Sequence, residues 1–173
     1  MKTHTVALLV IAALYPITVF GQNPPGFETM VNTLLKGTVP TLTSDELHKQ
    51  LSAKSTTPVL LDARSEAEYN ISHLNGARFV GYDDFELGRV SDIDKSAPVV
   101  VYCSVGKRSE DIAQRLIDAG FTQVKNHRGG IFDWSNRGYP VVNNKGQEVN
   151  IVHPYNRIWG VWVNRCEKAY EPR

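Results

Sequence analysis

One cysteine of this chain stands where a nucleophile could be made. Cys103 opens the run Tyr102-Cys103-Ser104-Val105-Gly106-Lys107-Arg108-Ser109. Before it lies the β-branched stretch 98–102, expected as a buried strand. After it comes a helix expected over 109–119. Ile112, Ala113, Leu116 and Ile117 form its apolar stripe and Gly120 stops it. Open α/β sheets gather ligands at the carboxyl ends of their strands. A helix N-terminus there presents free backbone N–H groups and partial positive charge, both favourable to an anion. Lys107 and Arg108 add formal charges, and Gly106 lets the loop curl so that N–H groups converge. A thiol in that position is expected to react as the thiolate. Cys103 is thus the candidate nucleophile, and Ser104, Val105, Gly106, Lys107, Arg108 and Ser109 form the candidate anion-binding loop. The competing reading is an inert cysteine buried after a core strand, and this run alone does not separate the two.

The elements that must carry this loop follow from patterning. Thr43-Ser44-Asp45-Glu46 is a capping box, and its helix runs through Leu47 and Leu51. Residues 55–58 break the chain. Val59-Leu60-Leu61 is wholly apolar, as a buried parallel strand should be. Residues 65–70 are helix-like, Asn75-Gly76 is a turn, and 77–80 and 123–126 are further short strands. Gly129-Gly130 turns tightly into a short helix over 131–136. Alternating strands and helices predict an α/β fold, with a central, mostly parallel sheet and helices on both faces. Residues 22–39 read as a lead-in with Pro24-Pro25-Gly26 as linker, 40–142 as the domain, and 143–173 as a C-terminal extension. In the extension, Val141-Val142 and 149–152 flank Asn143-Asn144-Lys145-Gly146 as a hairpin. Residues 155–170 fit a helical face (Ile158, Trp159, Trp162, Cys166, Tyr170) and also a strand-like alternation; helix is favoured.

Composition narrows the function classes. With 19 basic and 18 acidic residues, the chain lacks the basic excess of a nucleic-acid binder. At 42% hydrophobic residues it is not a disordered chain. Lys2, the apolar run from Val6 to Leu14, and small residues near Gly21 resemble a secretory signal peptide over residues 1–21, cut after Gly21. The run is short for a membrane span, which needs about 20 residues. The expected protein is therefore exported, periplasmic or secreted, with no stable membrane span after cleavage. Five histidines, His4, His48, His73, His127 and His153, show no metal-ligand spacing, and no metal or other cofactor is called for.

Three motifs, in order and at the right spacing, resemble the rhodanese-like, single-domain sulfurtransferase family. The first is Leu61-Asp62-Ala63-Arg64 with Glu68-Tyr69, His73-Leu74 and Gly76-Ala77. The second is the Cys-x-x-Gly-x-Arg-Ser loop at Cys103 to Ser109. The third is Ala119-Gly120-Phe121, Gly129-Gly130-Ile131, Trp134, Gly138 and Pro140-Val141. Three positions depart from the pattern: Ser72 where glycine is usual, Asn75 where proline is common, and Arg128 where glutamate is common. The resemblance implies sulfur transfer through a Cys103 persulfide. The donor would be a small sulfur-containing anion, thiosulfate before mercaptopyruvate, and the acceptor a thiol or protein. Asp62 and Arg64 would support the loop or form a structural ion pair.

Two other functions compete. Related phosphatase and arsenate-reductase domains also use Cys and Arg, but with five residues between; here four intervene, and the tighter ring suits a single sulfur atom. A non-catalytic or redox-regulatory interaction module would not need Cys103 with its glycine and both cations. Cys166 has two readings: a half-buried packing residue, or a thiol that resolves an oxidised Cys103 by disulfide formation.

Overall fold

The computed structural model describes residues 22–53 and 57–171. The stretch read as a signal peptide lies outside them. In chain order the first half contains α1 (Phe27–Leu34), β1 (Thr41–Leu42), α2 (Ser44–Ser52), β2 (Val59–Asp62), α3 (Glu66–Ile71) and β3 (Arg78–Phe79). The second half contains β4 (Val99–Tyr102), α4 (Lys107–Asp118), β5 (Val124–His127) and α5 (Gly130–Asn136). It continues through β6 (Val141–Val142), β7 (Glu148–Val149), β8 (Ile151–Val152) and β9 (Glu167–Lys168). Five parallel strands form the central sheet in the order β1-β5-β4-β2-β3.

The sheet is buried on both faces because successive strand residues feed opposite layers. Leu60, Val100 and Tyr102 pack with Phe27 and Val31 of α1, Leu47 of α2, and Ile131 and Phe132 of α5. Leu61, Val99 and Val101 pack with Ile112, Ala113 and Leu116 of α4, and with Phe85 and Val90. Two helices start on reciprocal capping boxes. Thr43 caps α2 with Glu46, and Ser65 caps α3 with Glu68. The second box, Ser-x-x-Glu, repeats the spacing of the first, Thr-x-x-Glu, yet the sequence reading passes over it.

Four expectations need correction. Residues 22–39 are no linker: α1 buries Phe27 and Val31 completely in the core. The carboxylate of Glu110 in α4 then takes the backbone N–H groups of Lys36, Gly37 and Thr38. Strand β1 is an unforeseen two-residue edge. Helix α4 starts at Lys107, two residues before the expected Ser109. Its N-cap is Gly106 at φ 106°, and the Ser109 hydroxyl is spent instead on Asn126, at 2.7 Å. The region 155–170 is not a helix. It holds a single 3-10 turn, Trp159–Trp162, after which the chain extends and β9 pairs in parallel with β8. Its aromatic residues make different contacts: Trp162 meets Phe27 edge-on at 6.0 Å, while Trp159 also lines the pocket that Cys103 lines. The hairpin is present as β6 paired antiparallel with β7.

Candidate active site

Cys103 follows β4 directly, and its side chain is 1% exposed. The loop it opens is held by its carbonyls. The oxygens of Cys103, Ser104 and Val105 accept from the N–H groups of Ile131, Phe132 and Gly129, at 2.9, 3.1 and 3.2 Å. Asn126 Nδ2 donates to the Gly106 oxygen at 2.9 Å. With the carbonyls drawn away, one loop N–H is directed at the sulfur: Gly106 N–H donates to Cys103 Sγ at 3.2 Å. The first turn of α4 contributes N–H groups that have no partner within the helix. Gly130, at φ +55°, allows this approach. A Cβ there would strike the Cys103 oxygen and lie 2.7 Å from Ser104 C and O.

The two cations of the loop are not free. Arg108 binds the Glu68 carboxylate through both terminal nitrogens, at 2.9 and 2.7 Å, and also reaches Ser104 Oγ at 3.0 Å. Ser104 Oγ in turn donates to Glu68 at 3.0 Å. Burial would raise the Glu68 carboxyl, but the hydrogen bonds and charge of Arg108, with Arg64 behind, bring it down to about 2. Burial would lower Arg108; Glu68 and the nearby Cys103 sulfur outweigh it and push the guanidinium up. Lys107 pairs with Asp111 at 2.9 Å.

Asp62 and Arg64 form a fully buried ion pair, 0% exposed on both sides. Arg64 also donates to the Ser72 carbonyl at 2.6 Å. Its bonds lie within the scaffold; it reaches the loop through its charge, felt by Glu68 and by Arg108. Val105 is buried with the core.

Above Cys103 lies a pocket of about 180 Å³. Besides loop residues, its wall consists of Leu34 from α1 and of Tyr155 and Trp159 from the C-terminal extension. Glu68, Asn126 and these three wall residues were missed as site residues by sequence reasoning. Glu68 lay inside a quoted motif, but nothing local pairs it with a residue 40 positions away.

Cys166 does not join this site. Both cysteines are free, and they line separate pockets. Burial pushes the Cys166 thiol up, away from the thiolate that a resolving nucleophile needs. Its half-buried packing against the core agrees with the blander reading. Among the described residues no His, Cys, Asp and Glu cluster could hold a metal ion. No helix among them is long and apolar enough to cross a membrane.

Comparison with known proteins adds to this geometry. The family model described as a rhodanese-like domain matches residues 43–137. A sulfurtransferase of Allochromatium vinosum is 41% identical over 58 residues, 34% of this chain and 54% of that protein. The chain thus spans about half the length of that relative. The thiosulfate sulfurtransferase GlpE of Actinobacillus pleuropneumoniae is 34% identical over 83 residues, 47% of this chain and 75% of that protein. Among solved structures, the rhodanese-like domain of an Anabaena sp. protein superposes with a TM-score of 0.56 at 27% identity, covering 60% of this chain and 79% of that one. Leu34, Tyr155 and Trp159 all fall outside the family match.

Proposed function

Because the chain belongs to the rhodanese-like domain family, we propose that it is a sulfurtransferase working through a persulfide on Cys103, with thiosulfate as donor. The Cys103 thiolate attacks the outer sulfur of thiosulfate. A new S–S bond forms, the bond to the sulfonate sulfur breaks with its electron pair, and sulfite leaves. An acceptor nucleophile then takes the outer sulfur and returns Cys103 to the thiolate. The observation that carries this reading is the Gly106 N–H directed at Cys103 Sγ. It is an oxyanion-hole arrangement scaled to one sulfur atom. Thiosulfate is favoured by the likeness to GlpE and by the unpartnered N–H groups at the start of α4.

The phosphatase reading loses support because Arg108 is clamped on Glu68 and has no free fork for a tetrahedral oxyanion. A purely binding module would leave the sulfur-directed Gly106 N–H without a use. Export belongs to the same proposal. It rests on the basic start and apolar run of residues 1–21, and finding the native protein with its N-terminus at Gln22 would support it.

Mass spectrometry after thiosulfate treatment tests the chemistry. The parent should gain one sulfur on the peptide carrying Cys103. Cys103→Ser should fold with unchanged thermal stability, gain nothing, and lose thiosulfate:cyanide turnover, since a hydroxyl at its ordinary pKa is a poor nucleophile. Turnover surviving in that variant would reject the assignment.

A further inference from the structure

We propose that the C-terminal extension selects the sulfur acceptor, and that the acceptor class is an organic thiol with an apolar, ring-sized body. This inference rests on the persulfide reading and adds the substrate of its second half.

The second substrate must approach a sulfur that is 1% exposed. It therefore has to enter the pocket above Cys103, and its body must lie against the wall. That wall is apolar: Leu34, Tyr155 and Trp159 line it beside the loop. The cations lining the pocket are engaged, Arg108 by Glu68 and Lys107 by Asp111, a carboxylate that Lys36 also holds. Thiosulfate needs only the loop N–H groups at the sulfur, but an acceptor whose body lies against the wall finds no unpaired cation among the lining residues, and an acidic or strongly hydrated body would lose water against aromatic rings. An apolar body gains by covering them. The volume of about 180 Å³ suits a single ring, since a cavity of about 150 Å³ holds benzene.

The wall is built to stay in place. Tyr155 is the only described non-glycine residue in the left-handed region, at φ 65°. A side chain is disfavoured there, and such outliers persist where the surroundings over-determine them. Here the Tyr155 N–H donates to His153 Nδ1 at 3.0 Å. The Arg108 guanidinium lies over the Tyr155 ring, 5.0 Å from its centre. The same arginine that is fixed by Glu68 thus fixes the ring. Trp159 starts a turn whose N–H groups, its own and that of Ile158, are taken by Asn156 Oδ1 at 3.0 Å. Tyr155 is 51% exposed.

The transfer needs no oxidant. The Cys103 persulfide anion first takes a proton from solvent; the acceptor thiolate, its own proton lost to solvent, then attacks the outer sulfur. One S–S bond forms, the bond to Cys103 Sγ breaks, and its electron pair stays on Sγ as the thiolate. The organic hydropersulfide leaves carrying the proton.

The test compares benzyl mercaptan with 2-mercaptoethanol at equal thiolate concentration, on protein loaded from thiosulfate, with cyanide discharge as reference. The parent should prefer the benzyl thiol by about tenfold or more in kcat/KM, the discrimination typical of a filled apolar pocket. Combining Tyr155→Asn, which tolerates the left-handed backbone, with Trp159→Ala should bring the ratio close to one. Equal use of both thiols by the parent, or a preference that survives in the variant, would overturn the proposal. If no persulfide forms, the transfer reading fails, and the pocket is tested separately. Benzyl methanethiosulfonate should label Cys103 faster than methyl methanethiosulfonate in the parent, read on the Cys103 peptide, and lose that advantage in the variant. Equal labelling would overturn the recognition on its own.

Discussion

Glu68 accepts from the Ser65 amide and hydroxyl, from Ser104, and from two nitrogens of Arg108. One carboxylate therefore closes a helix cap and ties that helix to the Cys103 loop. Its folded pKa of about 2 lies below the ordinary 4.5. Ionised Glu68 thus stabilises the fold above about pH 4.5, and that contribution is lost as pH falls toward 2. The shift corresponds to about 3 kcal/mol. Glu68→Gln should cost about 2–4 kcal/mol at neutral pH, because it leaves Arg108 half-buried without its counter-charge. The gap between parent and variant, measured by urea unfolding, should shrink markedly between about pH 6 and about pH 3. A gap of constant size would contradict the clamp. The sequence displays Glu68 only as half of a Glu-Tyr pair. By contrast Cys103 was legible, since a strand end, a glycine and a helix start are all local signals.

At the scale of elements, α5 explains why two glycines stand at its start. Gly129 and Gly130 read correctly as a tight turn, but a turn needs only one flexible residue. The second glycine is required by the approach of α5 to the Cys103 and Ser104 carbonyls. Gly130→Ala should destabilise by about 2–3 kcal/mol, through strain at positive φ and overlap with backbone. It should also slow persulfide formation, because the overlap displaces the loop that carries Cys103. Unfolding midpoints and the rate of sulfur loading check both effects, and normal loading would show that the loop does not depend on α5. The early start of α4 was hidden for a related reason. Ser109 looks like a cap, and only the neighbouring strand reveals that its hydroxyl belongs to Asn126.

Across the whole molecule, two departures from the family pattern mark where the flanking segments dock. Ser72 donates to the Ile151 carbonyl at 2.6 Å, joining the domain to β8. Arg128 reaches Glu28 and Asn32 of α1 at 2.6 and 2.7 Å. The flanks also meet each other. Asn136 donates to Asn23 Oδ1 and to the Trp162 carbonyl, at 3.0 and 2.8 Å. A chain cut to residues 40–142 should therefore lose much of its stability, despite holding the whole family match. It gives up Phe27, Val31, Val152 and Val163, all at most 1% exposed, at about 1.5–3 kcal/mol each. Calorimetry should show a strongly lowered Tm or no cooperative transition; a Tm equal to the parent's would show that the flanks are ornament. These segments were read poorly because their patterns are short and double-valued. Residues 155–170 satisfy both a helical and an alternating period, and only docking decides between them.

The anchoring of the loop carbonyls has one more consequence. Four peptide dipoles, from Cys103 to Gly106, are oriented by groups belonging to β5, α4 and α5. Water around a free thiolate must reorient whenever charge shifts between one sulfur atom and the next. Here the polarising groups are backbone, and they are already aligned. The ordering is completed as the chain folds, through contacts distant in sequence that form slowly, and it is not repeated at each turnover.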